Sequence, residues 1–563
     1  MTAAKDGVGV LVVGAGPVGL AVATGLLRQG IPVRLVDQAE RPNPHAKAIT
    51  LWPRALEALH RLGAADGILG RGHVLTAQNY HSGGRRVARL TFRRVTDTRF
   101  PFAVSLPQQE TEEVLRERFE ALGGKTEFGV RLTALRQDAG GVTAELADGD
   151  GTSTVHADWL IGADGAHSTV RTAIGTGYEG ETYPQQFLLS DGPCDTPLAP
   201  DEAHYFMTAK GVLVVVGLPG GKFRVFTSMA PGAPAPEDVR AEVQRAASER
   251  CPVPITLTGE QRTGVFRVHR KVADRFRDRR VLLVGDAAHI HSPAGGQGLN
   301  TGIEDAATLA WRLGSVVRGE ATEAFLDRWE TERRAVARGV LDDTDLQTRL
   351  WMLRGWKRSA RDTALRLGER SGVLDRVVTP RQTQLSLVHA GPRRTLGRLR
   401  EGARLPDVRL STAGRGVTAA DAPTVDAMAV ERLHDLLAAD RPLLLVLAAD
   451  HRDASRTPSA VETAAALTGL GHRTVIVTAD PAAVTPSPTP GGDAGSPVPD
   501  RPGVLADPSG ALHAALRLRG PAVCLVRPDA VVAAVGRPGE LRLVRALSGA
   551  LIKPPHPVPQ PLD

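Results

Sequence analysis

The stretch RVLLVGDAAHIHSPAGGQGLNTGIEDAATLAWRL, residues 280–313, decides the fold of this chain. Its apolar start runs directly into Gly285 and Asp286, which indicates a buried strand that ends at a carboxylate. The glycine-rich loop at 293–298 lets a flat or anionic ligand approach the backbone, and a helical pattern opens at Asn300. The stretch therefore predicts an elongated polar ligand lying across a strand end and a helix start.

A second pattern of strand, turn and helix opens the chain. Residues 8–13 are apolar, GAGPVG follows at 14–19, and a helix and a second strand come next. This order is typical of a dinucleotide fingerprint, although the motif alone does not separate FAD from NAD, because both contain ADP. The tight turn, the pyrophosphate contact, the close helix packing and the ribose contact are assigned to Gly14, Gly16, Gly19 and Asp37.

A third strand end carries an acid. Residues 128–162 contain three short β runs, and the last leads into Asp164 and Gly165. Ligands of open α/β sheets lie across the carboxyl ends of the strands. We therefore expect Asp37, Asp164 and Asp286 to converge on one long cofactor.

Composition limits the alternatives. The 563 residues suggest about three to four domains. The net charge of +7 is scattered and aromatic residues make up 4%, which argues against a nucleic-acid groove. Three cysteines without paired spacing indicate a reduced compartment and neither disulfides nor a cysteine metal site. No segment has the length and apolarity of a signal peptide or a membrane span, so we expect a cytoplasmic protein without membrane partners.

Three motifs together resemble a known family. GAGPVG at 14–19, DWLIGADGAHSTVR at 158–171 and RVLLVGDAAHIHSPAGGQGLN at 280–300 look like the motifs of class A flavoprotein monooxygenases, the para-hydroxybenzoate hydroxylase group. Within that group the chain resembles the phenol and aromatic-polyketide hydroxylases with an additional C-terminal domain. The resemblance covers about the first 390 residues well.

The resemblance implies FAD as cofactor, with NADPH or NADH as a transient reductant. Lys47 stands where the family often has arginine, and Asp37 where it often has glutamate. The helix start near Leu299 would stabilise negative charge on reduced flavin. The implied cofactor-binding residues are Gly14, Gly16, Pro17, Gly19, Asp37, Lys47, Gln108, Asp164, Gly165, Gly285, Asp286, Gly298, Leu299 and Asn300.

The loop beside the reacting flavin edge supplies the first catalytic candidates, Pro293, Gly295 and Gly296. Arg224 is a further candidate for steering a phenolic substrate, and the other polar candidates are His81, His204, Tyr205 and His269. His289 and His291 are interpreted as packing or loop residues rather than metal ligands, and no metal is expected. For Arg54 a ligand contact and a solvated surface position are both left open.

The predicted fold class is α/β, with a Rossmann-like FAD-binding domain, an inserted β-sheet domain, a helical segment and a thioredoxin-like domain. The FAD-binding domain comprises residues 1–75, 106–178 and 278–345. The substrate-binding β-sheet domain comprises 76–105 and 179–277.

The C-terminal third begins with a helical linker at 346–400. Residues 301–372 read as strongly helical, and four tryptophans in them, Trp311, Trp329, Trp351 and Trp356, are spaced for packing between helices. Residues 401–563 resemble a thioredoxin-like domain without C-x-x-C, which excludes disulfide exchange. A Pro/Gly/Ser-rich insertion at 481–503 is predicted to be disordered.

The sequence therefore predicts an FAD-dependent monooxygenase that uses NAD(P)H and O2 to hydroxylate a phenolic or polycyclic aromatic substrate through a flavin C4a-hydroperoxide. Aromatic polyketide biosynthesis is the expected context, and the protein is expected to be a monomer or a homodimer. The alternatives are Baeyer-Villiger or epoxidising chemistry on the same scaffold, and a protein that binds flavin or an aromatic drug without turnover. A halogenase is disfavoured because the chain lacks W-x-W-x-I-P.

Overall fold

The computed structural model describes residues 7–42, 48–292, 294–389, 394–410, 431–438, 441–448, 473–478, 503–506 and 510–538. Within them the chain forms two compact units. Among the described residues, the first unit contains those up to Val95, Phe100–Ala310 and Trp329–Leu385, and the second contains Thr96–Arg99, Trp311–Arg328 and those from Ser386 onward.

The strands up to residue 290 are β1 (Gly7–Val13), β2 (Val33–Asp37), β3 (Thr50–Leu51), β4 (His73–Leu75), β5 (Ala77–Ser82), β6 (Arg85–Thr91), β7 (Ala103–Ser105), β8 (Thr126–Phe128), β9 (Arg131–Gln137), β10 (Val142–Asp148), β11 (Gly151–Gly162), β12 (Tyr178–Asp195), β13 (Glu202–Thr208), β14 (Gly211–Leu218), β15 (Lys222–Ser228), β16 (Thr256–Leu257), β17 (Arg262–Ala273), β18 (Arg277–Asp278), β19 (Val281–Leu283) and β20 (His289–Ile290).

The helices up to residue 382 are α1 (Pro17–Leu27), α2 (Pro53–Leu62), α3 (Ala65–Arg71), α4 (Gln108–Ala121), α5 (Thr169–Ala173), α6 (Val239–Arg250), α7 (Gly298–Val317), α8 (Ala324–Trp351), α9 (Gly355–Ser371) and α10 (Val373–Gln382).

The first sheet has the order β18-β19-β11-β1-β2-β8, and β9 and β10 extend it beside β11. Strands β19, β11, β1, β2 and β8 run parallel. The apolar runs form strands because both faces are covered, and Val10, Leu11 and Val12 of β1 are fully buried. Helix α1 follows β1 with Pro17 in its first turn, where a missing N–H costs nothing.

The second sheet has the order β20-β17-β12-β15-β14-β13-β5-β6, with β16 at the edge of β12. All its pairs are antiparallel except β13 with β5. Alternation along the strands gives it two apolar faces. One packs on α6, and the other carries Tyr80, Tyr205, Phe187 and the partly buried Phe226. The predicted α/β fold with an inserted β-sheet is confirmed.

The second unit contains a five-stranded sheet of order β25-β24-β23-β26-β27, in which β26 and β27 are antiparallel to their neighbours. Cys524 is buried in β26, and burial raises the pKa of its thiol. The described elements are β21 (Thr395–Leu396), β22 (Leu399–Arg400), β23 (Leu443–Leu447), β24 (Arg473–Thr478), β25 (Gly503–Ala506), α11 (Ala511–Leu516), β26 (Ala522–Val526) and β27 (Val532–Gly536).

Several expectations differ from the structure or fall outside it. Helix α7 begins at Gly298, two residues before the predicted start at Asn300. Trp356 is 76% exposed, so its predicted packing between helices is wrong. Outside the described residues lie Lys47, Pro293 and all of the Pro/Gly/Ser-rich insertion predicted at 481–503 except Gly503. Among the described helices, none combines the length and the apolar character that crossing a membrane requires.

Candidate functional site

Three acidic strand ends lie at one edge of the first sheet. Asp37 ends β2, Asp164 follows β11 by two residues, and Asp286 follows β19 by three. Since these strands are parallel in the order β19-β11-β1-β2, their carboxyl ends share an edge. Strand spacing of about 4.8 Å puts the outer two ends roughly 14 Å apart. The edge therefore suits one elongated ligand.

The glycine turn after β1 has one open position and two closed ones. A Cβ on Gly19 would lie 1.8 Å from the Gly14 carbonyl oxygen, and one on Gly14 would lie 2.4 Å from that of Ala163. A Cβ on Gly16 would meet nothing within 4 Å. Gly14 and Gly19 are therefore required by packing, while Gly16 borders free space at the start of α1, where an anionic group would be stabilised.

Asp37 is oriented by this turn. Its Oδ2 accepts from the Ala15 N–H at 2.7 Å and its Oδ1 from the Ala39 N–H at 2.8 Å. The side chain is half-buried. Each carboxylate oxygen keeps further acceptor capacity, which ribose hydroxyls can use.

Asp164 has a local structural role. Its Oδ1 accepts from the Ser168 hydroxyl at 2.5 Å, and its Oδ2 accepts from the Val170 N–H at 3.1 Å, at the start of α5. Burial raises the pKa of this carboxyl, and the hydrogen bonds oppose that shift. A Cβ on the neighbouring Gly165 would meet nothing within 4 Å. Gly165 therefore borders open space, next to a carboxylate that is engaged by the start of α5.

Arg171 joins the second and third motifs. It donates to the Ala166 carbonyl at 2.8 Å and to the Ala287 carbonyl at 3.0 Å. Its guanidinium lies 3.8 Å from the Tyr178 ring centroid, and the Tyr178 hydroxyl donates to the Asp286 carbonyl at 2.9 Å. These contacts of Arg171 and Tyr178 fix the turn at Gly285–Ala287. In the sequence Arg171 is the last residue of the second motif, and none of the three motifs contains Tyr178.

The same turn is anchored from behind by a buried ion network. Asp305 accepts from the Gly285 N–H at 3.2 Å and from His289 Nε2 at 2.5 Å through Oδ2. Its Oδ1 accepts from Arg333 Nε at 2.6 Å. Burial alone would raise the Asp305 pKa, but His289 and Arg333 hold it at about 2. Asp286 is exposed while both its neighbours are buried, so the network presents it at the sheet edge.

His289 thus has a structural role, as interpreted from the sequence. His291 is 8% exposed, its ring nitrogens have no hydrogen-bond partner, and burial lowers its pKa far below the usual value. In the part of the chain that the structure describes, His, Cys, Asp and Glu form no cluster of three that could hold a metal.

The glycine loop before α7 is held by Trp52 and Asn300. Trp52 Nε1 donates to the Gly295 carbonyl at 2.8 Å, and the Trp52 N–H donates to Asn300 Oδ1 at 2.7 Å. Asn300 Nδ2 donates to the carbonyls of Thr50 and Gly296. Asn300 therefore positions the loop, and the first turn of α7 with Leu299 supplies N–H groups without intrahelical partners.

Gln108 occupies the first position of α4. Its Oε1 accepts from the Ala48 N–H at 3.3 Å, and its Nε2 donates to Glu112 at 2.8 Å. Arg54 is 3% exposed and pairs with Glu57 and Glu304, so the solvated alternative for it is wrong.

The polar candidates on the second sheet are engaged within it. Arg224 is 5% exposed and forms two 2.6 Å hydrogen bonds to the carboxylate of Asp191. His204 and His269 contact the Ala199 carbonyl and the Thr182 hydroxyl, respectively. His81 and Tyr205 stack on Phe206 and Tyr80, respectively.

A cavity of about 700 Å³ opens between the second sheet and the start of α4. Gln109 and Glu110 of α4 line it, next to Gln108. Its apolar wall consists of Leu189, Leu218, Pro219, Val265 and Phe266, and its charged residues are Glu110, Asp191, Lys222, Glu260 and Arg262.

Residues 7–344 match the family model described as FAD binding domain. The chain belongs to this family. The FAD-binding domain thus contains all of the sheet edge, and the open space at Gly16, the oriented Asp37 and the exposed Asp286 fit a dinucleotide at that edge.

Two relatives of this FAD-binding domain protein are named as monooxygenases. It is 39% identical over 353 residues to 6-methylpretetramide 4-monooxygenase of Streptomyces rimosus, covering 62% of this chain and 63% of the relative. It is 37% identical over 346 residues to pentachlorophenol 4-monooxygenase of Sphingobium chlorophenolicum, covering 60% and 63%. Each match spans less than two thirds of the relative. The OxyS anhydrotetracycline hydroxylase from Streptomyces rimosus matches with a TM-score of 0.71 and 26% identity, covering 97% of this chain and 99% of that one.

Proposed function

We propose that the protein is an FAD-dependent monooxygenase that uses NAD(P)H and O2 to hydroxylate a phenolic or polycyclic aromatic substrate, including aromatic polyketides. The observation that carries the proposal is the apolar-walled cavity of about 700 Å³ between the second sheet and the start of α4, where Gln109 lines it next to Gln108. A planar ligand of several rings fits a cavity of that size. The related monooxygenases, one named for pentachlorophenol and one for 6-methylpretetramide, support the aromatic substrate class.

The proposed cofactor contacts follow the sheet edge. In this proposal Gly14, Gly16, Pro17 and Gly19 cradle the FAD pyrophosphate, Asp37 binds the adenosine ribose and Asp286 binds the ribityl chain. Gln108, Lys47, Asp164, Gly165, Gly285, Gly298, Leu299 and Asn300 complete the set, with Asp164 and Asn300 acting through the segments they hold. When bound, FAD supplies the redox chemistry by taking a hydride from NAD(P)H and activating O2.

The chain itself supplies charge stabilisation and orientation. The N–H groups in the first turn of α7 are directed at a site where negative charge develops. The loop with Gly295 and Gly296 is kept rigid by Trp52 and Asn300, which limits movement next to the reacting centre. In this proposal Pro293 belongs to the same loop beside the reacting flavin edge. Arg224 is assigned a positioning role through Asp191, which lines the cavity.

A single substitution can narrow the cavity without disturbing the fold. Gly264 lines it, and a Cβ there would meet Leu189 at 3.6 Å, an ordinary contact. Gly264→Leu should therefore fill space meant for substrate, lowering kcat/KM by about tenfold or more while flavin content stays unchanged. Gly149→Leu is the matched control, because a Cβ on the exposed Gly149 meets nothing within 4 Å.

The assay is oxidation of NADH and NADPH by the purified protein with a panel of phenols and polycyclic quinones under ¹⁸O₂. The proposal expects a phenolic product that gains one ¹⁸O atom. A lactone or an epoxide would assign Baeyer-Villiger or epoxidising chemistry instead. Tight binding of the aromatic without any oxygen gain would mean that the protein only sequesters its ligand. The three cysteines are free in the described chain, as is usual in a reducing compartment, so we also propose that the protein is cytoplasmic. We further propose that it is a monomer or a homodimer.

A further inference from the structure

Residues 346–381, all of them described, form an unusual surface on the C-terminal part of α8 and on α9 and α10. Nine large apolar side chains are exposed in the described chain, and seven of them lie in this segment. They are Leu346, Leu350, Trp356, Leu367, Val373, Val377 and Val378. We call the exposed side chains of residues 346–381 the α8–α10 surface.

The apolar residues follow the helix periodicity on the outer side of α9. Trp356 and Leu367 are three turns apart and lie on the same face, with Thr363 between them. The opposite face is held by the body of the protein, because Arg361 is buried and donates to the Ser82 hydroxyl, and Leu365 packs on the core. The exposed residues are therefore the outward half of a well-anchored amphipathic helix.

The charge of this segment is one-sided. It contains nine Lys and Arg residues and three Asp and Glu residues, whereas the whole chain has a net charge of only +7. None of the three acids is exposed: Asp362 is buried with Arg361, and Asp375 accepts from the N–H and hydroxyl of Thr91. Seven cations are exposed, namely Arg349, Arg354, Lys357, Arg366, Arg370, Arg376 and Arg381.

We propose that the α8–α10 surface binds reversibly to an anionic phospholipid surface. Basic residues beside exposed tryptophan and leucine are the combination by which amphipathic helices lie in a membrane interface. A second copy of the chain is a poorer occupant, because a symmetric contact would bring the same cations of both copies together. The sequence predicted no membrane partner, and the proposal revises that expectation for this one surface.

One tryptophan makes the binding measurable. Trp356 is 76% exposed, whereas Trp52, Trp159, Trp311, Trp329 and Trp351 are at most 5% exposed. With the full chain and vesicles of phosphatidylglycerol mixed with phosphatidylcholine, we expect cosedimentation at low salt and a blue shift of the tryptophan emission. Binding should weaken in high salt, since the attraction is screened. Vesicles of phosphatidylcholine alone should bind far less.

Variants assign the effect to the surface. Each basic residue near an anionic membrane contributes roughly fivefold to the binding constant, so a Lys357→Gln, Arg366→Gln and Arg370→Gln triple variant should bind roughly 100-fold more weakly. Trp356→Ser should lose the blue shift, whereas Val74→Ser, which changes an exposed valine elsewhere, should bind like the wild type. The proposal is overturned by absence of binding to anionic vesicles at low salt, by equal binding of the triple variant, or by a solution dimer that Trp356→Ser dissociates.

Discussion

Replacing Asp305 by asparagine tests the buried network behind the cofactor edge. Asp305, His289 and Arg333 are at most 1% exposed, and Asp305 is the shared acceptor. An asparagine can still accept from the Gly285 N–H, but Arg333 loses its carboxylate and remains buried. Removing one partner of a buried ion pair costs about 3–5 kcal/mol. We therefore expect the free energy of unfolding to fall by about 3 kcal/mol or more.

The Asp305→Asn substitution should also weaken the binding of FAD. The Gly285–Ala287 turn carries Asp286, and its N–H contact to Asp305 would weaken with the network. One weakened hydrogen bond corresponds to about 1 kcal/mol, so FAD should bind roughly five- to tenfold more weakly. Urea unfolding followed by circular dichroism gives the first quantity, and titration of the apoprotein with FAD gives the second.

Asp342→Asn is the matched control for this experiment. Asp342 lies on α8, like Arg333, and pairs with Arg270 at 2.7 Å, but its side chain is 71% exposed. An exposed ion pair contributes at most about 1 kcal/mol. Equal urea midpoints for Asp305→Asn and Asp342→Asn, with unchanged FAD affinity in both, would refute the role given to the network.

Two further predictions concern the loop and the second sheet. Asn300→Ala removes three hydrogen bonds to Trp52, Thr50 and Gly296, so we expect a loss of about 3 kcal/mol in unfolding free energy, measured by urea titration, with less flavin bound; a variant as stable as the wild type would contradict this. Burial, together with His204 and Arg86, lowers the pKa of His81 to about 4, so the folded protein favours the neutral form of this side chain. The free energy of unfolding should therefore decline as pH falls from about 6.5 to about 4. His81→Phe, which keeps a ring against Phe206, should flatten that decline in urea midpoints, and an unchanged pH profile would count against it.

The strands that build the cofactor edge could be predicted from local pattern. Apolar runs that stop at glycine and aspartate identify β1, β2, β11 and β19, and the helix α1 between β1 and β2 makes that pair parallel. The convergence of Asp37, Asp164 and Asp286 on one edge was predictable for the same reason.

What the pattern does not contain is which side chains meet across the fold. Asp305 and Arg333 are 28 residues apart on two helices, and each resembles an ordinary charged helix residue until its burial is known. The Arg171 contact to Ala287 spans 116 residues. For Trp356 the error is the reverse: a residue predicted to be buried is exposed. Helical spacing cannot distinguish a buried apolar stripe from an exposed one.

The most direct test of the central claim is the flavin content of the wild type and of Gly16→Val. Gly16 has a φ of −69°, which any residue adopts, and a Cβ there meets no protein atom within 4 Å. A valine should therefore leave the fold intact and occupy only the space of the ligand. We predict about one FAD per chain in the wild type and in Gly149→Val, and almost none in a folded Gly16→Val. Full flavin occupancy in Gly16→Val, or a folded wild type that cannot be loaded with FAD, would contradict the account.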